Sequence, residues 1–205
     1  QTSLEWFENS ARYMHQHPLQ FSFNLMTRSK RITYENLKKR DPELVRRVTD
    51  WFGAENGMKP DAQGRYAPPI FAPYALRDMR LENRIVVSPM CQYSATDGVP
   101  DDWHLVHLGS RAVGGAGLVI AEATNVSAEG RITPGCTGIW NEIQASAWKR
   151  VVDFVHEHSA SKIGIQIGHA GRKASCALPW EGDKPLTDSR AWRTLGPSAL
   201  PFAPG

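Results

Sequence analysis

The chain has 205 residues, a length that suffices for one domain with a sizeable core. Hydrophobic residues make up 41% and charged residues 22% of it, the mix of a soluble globular protein. The net charge of +3 is too balanced to indicate nucleic-acid binding. No apolar run reaches the roughly 20 residues of a membrane helix, and no signal peptide is visible. Three cysteines without a C-x-x-C pair favour a cytoplasmic protein and indicate no zinc site.

The first 69 residues divide into two zones. Apolar residues recur at helical spacing early in the chain, as in Leu4, Phe7 and Ala11, and again at Leu44 and Val48. This spacing predicts that residues 1–52 are helical. Residues 53–69 are rich in glycine and proline and lack periodicity, so they predict a linker between domains.

From residue 70 onward, short apolar runs alternate with segments of helical spacing. The runs at residues 85–89, 118–121 and 163–167 predict buried strands. Residues 103–113 and 140–158 predict helices between them. Strands of this kind, separated by helices, predict a parallel sheet covered by helices.

Such a sheet is either an open doubly wound sheet or a closed barrel. Gly114, Gly115 and Gly117 precede a strand, whereas a dinucleotide-binding loop follows one, so these glycines predict a helix end and a tight turn. Polar or unusual residues follow the three strands, as is typical of a barrel. Residues 70–205 are about half of the roughly 250 residues of a full barrel. We therefore expect the first half of a (βα)8 TIM barrel, an α/β fold, preceded by the helical tail of an upstream domain.

Several ordered motifs in residues 71–172 resemble those of the old yellow enzyme (NADH:flavin oxidoreductase) family. They are SPMCQYS at 88–94, Trp103-His104, the run from His107 to Gly117, Glu122-Ala-Thr124, and the run from Gln166 to Arg172. The resemblance implies an FMN cofactor, NAD(P)H as the reductant, and hydride transfer to an electron-poor unsaturated substrate. It also implies a cytoplasmic enzyme for small molecules, expected as a homo-oligomer, with no nucleic-acid or membrane partner.

The resemblance assigns the loop after the first strand to the flavin. Ser88, Pro89, Met90 and Cys91 would line the ring system and the ribityl chain, since a flat apolar ring needs an apolar wall. Cys91 would lie near the flavin N5 and O4 edge, where a thiol can donate a weak hydrogen bond. From the residues alone, a small buried hydrophobe is the favoured interpretation of Cys91, and the motif reverses this preference.

Three further positions complete the implied site. Ala123 would pack at the flavin, where a larger side chain would intrude, although a small residue is also ordinary in barrel packing. Gln166 would pair its amide with the pyrimidine edge, and a glutamine within an apolar strand is costly unless it is hydrogen-bonded. Tyr93, the candidate catalytic residue, would donate a hydrogen bond to a substrate carbonyl, unless it is only a surface-loop tyrosine.

Histidines form weaker candidates. His104 and His107 lie three residues apart on one predicted helix, a spacing that a metal site can use. No carboxylate partner is evident in the sequence, so packing and helix capping are favoured and no metal is predicted. By the resemblance, His169 and Arg172 are structural or cavity-rim residues.

The N-terminal zone carries a second resemblance. Residues 6–13, 21–29 and 31–42 are similar to the end of the FAD-dependent aromatic monooxygenase domain of two-domain enzymes that act on aromatic acyl-CoA thioesters. Salicylyl-CoA 5-hydroxylase and 2-aminobenzoyl-CoA monooxygenase/reductase are enzymes of this kind. The resemblance implies FAD in an upstream domain, an aromatic acyl-CoA substrate and a role in aromatic degradation. A helical extension that merely supports the barrel is the alternative.

Three functions are therefore open. The first is the FMN-dependent reductase part of an aromatic acyl-CoA monooxygenase/reductase. The second is a stand-alone NADPH-dependent ene-reductase that acts on enones. The third is a non-catalytic structural or assembly module.

By the resemblance, the pair that polarises the substrate carbonyl and the arginines that hold the flavin phosphate come from strands beyond residue 205. We predict that residues 1–205 alone bind FMN poorly and catalyse nothing. An absorbance titration with FMN tests this prediction, and tight stoichiometric binding would contradict it.

Overall fold

The computed structural model describes Lys38, Lys39 and residues 41–202. These residues fall into two compact units that meet in sequence between Ala72 and Pro73. The helices predicted before residue 38 lie outside the described residues. No helix in the described part of the chain is long and apolar enough to cross a membrane.

The first unit is built on helix α1, Pro42–Glu55. The Asp41 side chain caps it by accepting a hydrogen bond from the Leu44 N–H at 3.0 Å, and Pro42 suits the first helical position. The Tyr66 ring lies so close to Gly53 that a Cβ on this glycine would be 2.2 Å from the ring. A short 3-10 helix, Pro69–Phe71, follows. The assignment of residues 53–69 as a linker stays a prediction.

The second unit opens with a hairpin. Strand β1, Tyr74–Leu76, pairs antiparallel with β2, Met79–Leu81. Arg77 in the turn has a φ of 52°, in the left-handed region. The sequence did not predict this hairpin, because strands of three residues are too short to show an alternating pattern.

A parallel sheet and two helices form the rest of the unit. Its strands are β3 (Val86–Val87), β4 (Leu118–Asn125) and β5 (Lys162–Gly168), in the order β3-β4-β5. Helix α2, Asp102–Val113, connects β3 to β4, and helix α3, Glu142–His158, connects β4 to β5. The predicted order of strands and helices is confirmed, although β3 is shorter than predicted.

The turn between α2 and β4 depends on glycine. Gly115 has a φ of 95°, which side chains other than glycine rarely adopt. A Cβ on Gly117 would lie 2.3 Å from the Asn83 carbonyl oxygen, so only glycine lets the chain enter β4 this close to the segment before β3. The prediction that these glycines end a helix and turn the chain is confirmed.

The core lies between the sheet and the helices. One cluster of buried residues joins α2, α3 and the strands through Leu108, Ala121, Trp148 and Val151. A second joins Ala112, Ala116, Val119 and Val155. Because strand side chains alternate, Val119 and Ala121 point towards the helices, while Leu118 and Ile120 point to the opposite face.

The register of β4 and β5 shifts once. Leu118 to Ala121 pair in step with Lys162 to Ile165, and Ala123 is then paired with Gln166. Glu122 is the extra residue on β4, as in a β-bulge. The shift leaves Ala123 on the same face as Gln166, opposite the helices.

Val155 tests the helix-sheet core. It is 0% exposed and packs with Val119 and Ala112, so Val155→Ala should lower the free energy of unfolding by roughly 2 kcal/mol. Urea denaturation followed by circular dichroism measures the loss. Val113→Ala, at a helix position that is 57% exposed, is the control and should change the stability by about 0.5 kcal/mol or less. Equal losses would contradict the assignment of this core.

Candidate functional site

The loop after β3 meets the end of β4 at Cys91. The Ala123 backbone N–H and the Tyr93 hydroxyl both lie near the Cys91 sulfur and act to lower the pKa of its thiol. The Cys91 sulfur therefore lies beside Tyr93 of its own loop and Ala123 of the neighbouring strand. This junction lies at the carboxyl ends of parallel strands, where α/β folds gather their chemistry.

Ala123 and Gln166 lie side by side on neighbouring strands. Their Cα atoms are register partners of β4 and β5, on the face opposite the helices. Gln166 is exposed, and within residues 41–202 its amide has no hydrogen-bond partner. The argument that a glutamine within an apolar strand is costly unless it is hydrogen-bonded does not apply to Gln166, because its side chain is exposed. Its role at the pyrimidine edge of a flavin stays a prediction. The amide is available to a ligand.

The loop after β3 begins with three solvent-accessible residues. Ser88 and Met90 are exposed, and Pro89 is half-buried. The Met90 side chain is 49% exposed, while its carbonyl accepts a hydrogen bond from the Gln92 side-chain amide at 2.8 Å. These residues lead from β3 to Cys91, and their roles stay predictions.

Tyr93 is held in a strained conformation. Its φ of 55° is unusual for a bulky residue, and such outliers cluster at functional sites. A Cβ on Gly135 would lie 2.4 Å from the Tyr93 carbonyl oxygen, so this glycine makes room for the loop. The Tyr93 ring meets the edge of Trp180 with ring centroids 6.2 Å apart. Burial, together with the neighbouring Cys91, raises the pKa of Tyr93 to about 12.

The surroundings of Cys91 keep its thiol protonated. Burial raises the pKa of Cys91, and the Glu122 carboxylate and Cys136 raise it further. The Ala123 N–H and the Tyr93 hydroxyl act in the opposite direction but do not cancel this effect. Cys91 is therefore a neutral donor near neutral pH and is a poor nucleophile.

Glu122 is the site residue that sequence reasoning missed. It is 3% exposed, and its Oε2 accepts a hydrogen bond from the Gln92 backbone N–H at 2.9 Å. Its Oε1 lies 2.9 Å from Nε2 of His104, which is 1% exposed. A glutamate within an apolar strand was the available signal, since charges in such a position are paired or functional.

Carboxylate oxygens lie close to both ring nitrogens of His104. Its Nδ1 accepts the Asp101 N–H at 3.0 Å in a capping box and lies 2.8 Å from the Asp101 carboxylate. Burial lowers the pKa of His104, but Glu122 and Asp101 outweigh burial, and the net pKa is raised. The capping prediction is confirmed, whereas the view that no carboxylate accompanies this histidine is wrong. Asp101 is three positions away, whereas Glu122 lies 18 positions along the chain, so only the fold reveals this second partner.

The chain after β5 is held by local contacts. His169 Nδ1 accepts a hydrogen bond from the Gly171 N–H at 2.9 Å, and its ring packs closely on Gly130. Arg172 donates to the Ser198 hydroxyl at 2.8 Å. These contacts fit the structural role that the sequence suggested.

These residues fit an isoalloxazine ring. An exposed amide can match its pyrimidine edge, a small side chain beside the amide leaves room for a flat ring, and a protonated thiol lies next to that side chain. The set offers complementary chemistry to FMN at one edge of the sheet.

Residues 69–189 match the NADH:flavin oxidoreductase / NADH oxidase family, which is more than half of the chain. The chain belongs to this family. Its fold agrees with that of solved family members: the structure of morphinone reductase has a TM-score of 0.51 at 31% identity, over 62% of this chain and 38% of that one. The structure of the old yellow enzyme from Trypanosoma cruzi has a TM-score of 0.51 at 31% identity, and the match covers 64% of this chain and 35% of that enzyme.

A curated family member gives a similar result. The NADPH dehydrogenase of Listeria monocytogenes (strain HCC23) is 49% identical over 135 residues, 65% of this chain and 36% of the dehydrogenase. The chain therefore spans about a third of the length of the relatives it matches. Old yellow enzymes are TIM barrels, and the parallel sheet with its two helices is part of such an α/β arrangement.

The raised pKa of Tyr93 predicts a loss of stability at high pH. Below its ordinary pKa of about 10, the protonated phenol contributes fully to the stability of the fold. This contribution is lost as the pH rises to about 12, the pKa in the folded chain. Urea midpoints measured from pH 9 to 11.5 should fall more steeply for the unmodified chain than for Tyr93→Phe. Parallel curves would contradict the assigned environment.

Proposed function

We propose that this chain is part of an FMN-dependent NAD(P)H oxidoreductase of the old yellow enzyme type. One observation carries the proposal. Ala123 neighbours both Gln166 on β5 and the Cys91 thiol at the carboxyl edge of the parallel strands, and the Gln166 amide is open to a ligand. When bound, FMN would supply hydride acceptance and hydride donation.

The residues of the site have distinct proposed roles. Gln166 binds the pyrimidine edge, and Ala123 leaves space for the ring. Cys91 donates a weak hydrogen bond at the N5 and O4 edge, while Ser88, Pro89 and Met90 form the wall of the ring and the ribityl chain. Tyr93 donates a hydrogen bond to the substrate, which its protonated state at neutral pH permits.

The finer proposal is a two-domain enzyme that hydroxylates an aromatic acyl-CoA thioester. Its support is the motif resemblance of residues 6–42, which implies an upstream FAD domain. On this proposal, the upstream domain ends with residues 1–52, and residues 53–69 link it to the next domain. Residues 70–205 begin the FMN barrel, and the whole enzyme is a cytoplasmic homo-oligomer. A stand-alone ene-reductase is supported by the relatives, which include an NADPH dehydrogenase and a morphinone reductase.

The test uses the full-length protein that carries this chain. We expect a flavin absorbance band that NADH or NADPH bleaches under anaerobic conditions, with FMN released on denaturation. FAD released in equal amount would favour the two-domain enzyme, and FMN alone would favour the ene-reductase. Absence of any flavin after reconstitution with FMN would refute the proposed function.

Ala123→Leu tests the ring site. The larger side chain would occupy the space beside Gln166, so the full-length protein should lose FMN affinity by about tenfold or more. Quenching of flavin fluorescence on binding measures the dissociation constant. Ala160→Leu, at an exposed position between α3 and β5, is the matched control. Equal affinities in the two variants would contradict the site.

A further inference from the structure

A buried polar pair lies beneath the loop that carries Cys91 and Tyr93. Glu122 contacts the loop through the Gln92 N–H at 2.9 Å and contacts helix α2 through His104 at 2.9 Å. Both side chains are almost fully buried. The pair thus joins three elements: the loop, the end of β4 and the first turn of α2.

His104 and Gln92, the two residues that contact Glu122, are each fixed from a second direction. His104 is held by the N-cap residue Asp101, so its ring cannot turn away without breaking the capping box. Gln92 is held by its side chain, which accepts a hydrogen bond from the Trp103 indole N–H at 3.0 Å. The loop is therefore fastened to the start of α2 at two points.

A buried pair of this kind contributes little net stability, because its attraction must first offset the desolvation of both groups. Burying two ionisable groups carries a desolvation penalty that apolar side chains of the same volume avoid. The contact between Glu122 Oε1 and His104 Nε2 is also bent, so neither atom has a linear hydrogen bond among the described residues. A role in positioning the adjacent loop, which carries Cys91 and Tyr93, accounts for the burial of Glu122 and His104 at this place.

We propose that Glu122 and His104 are positioning residues, which hold the loop of residues 88–95 on the end of β4 and thereby fix the Cys91 thiol and the Tyr93 hydroxyl. The inference rests on the proposed FMN site for its function. Its geometry rests only on contacts within this chain. Neither residue touches the substrate or the flavin in this proposal.

Burial is the largest cause of the raised pKa of the Cys91 thiol, and Glu122 raises this pKa further. The groups that face Cys91 are Glu122 from β4, Tyr93 from its own loop and Cys136 from the loop after β4. Glu122 is the only carboxylate among these three. Removing its charge should make the Cys91 thiolate easier to form. A loss of packing would expose the thiol and shift its pKa in the same direction, so the near-isosteric Glu122→Gln, which keeps the packing, is the variant that isolates the charge.

Hydrogen exchange of the full chain tests the fastening. In the unmodified chain the Gln92 amide should be protected. Glu122→Ala removes its acceptor and should speed its exchange by about tenfold or more. Glu122→Gln keeps an acceptor oxygen and should restore most of the protection. Exchange of Gln92 in the unmodified chain as fast as in the exposed residues 196–200 would overturn the proposal, whether or not the variants fold.

Alkylation of Cys91 tests the effect of the Glu122 charge on the thiol. Iodoacetamide labelling across pH 6–10, resolved by peptide mass spectrometry, separates Cys91 from the buried Cys136 and Cys176. Glu122→Gln should shift the Cys91 profile to lower pH and raise its labelling rate at pH 7.5 by about threefold or more. Glu142→Gln, an exposed glutamate on α3, should leave the profile unchanged.

The outcomes separate this inference from the proposed function. If the Glu122 variants match Glu142→Gln in both measurements while the full-length protein binds FMN, only the positioning role is overturned. If the Glu122 variants behave as expected but the full-length protein binds no flavin, the positioning of Cys91 is supported and the FMN site is refuted.

Discussion

The register shift between β4 and β5 is the constraint on which the site depends. A regular ladder would alternate Glu122 and Ala123 so that one faced the helices and the other faced away. The extra residue lets Ala123 stay opposite the helices beside Gln166, while Glu122 turns into the junction with α2 and the loop. A single irregularity thus serves a ligand-facing surface and a buried anchor at once.

The polar contacts near the register shift differ in how far apart their partners lie in sequence. Glu122 connects elements that are distant in sequence, whereas Asp101 and His104 cap a helix within one turn. The hydrophobic clusters between the sheet and the helices consist of apolar side chains, which need no hydrogen-bond partners. They hold the strands so that the loops at their carboxyl ends start from fixed positions, which is how a rigid scaffold supports a site built on loops.

The sequence predicted both helices because their apolar periods are long and regular, and it predicted the parallel strands because each contains a continuous apolar run between helical segments. It did not predict the hairpin of β1 and β2, whose strands are too short for a pattern. At the site, the motif resemblance named Cys91, Ala123 and Gln166, but the Glu122–His104 contact depends on a bulge. No period in the sequence encodes a bulge, and a buried polar contact between separate elements leaves no fixed spacing.

The left-handed backbone of Tyr93 also constrains Gly135. Because the Tyr93 carbonyl occupies the space where a Cβ of residue 135 would lie, the two positions are linked by sterics across 42 residues of chain. A β-branched residue at 93 would resist the backbone angle, and any side chain at 135 would displace the tyrosine carbonyl. Directed evolution of this pocket should therefore vary the two positions together, with glycine or asparagine tolerated at 93 more readily than valine or isoleucine.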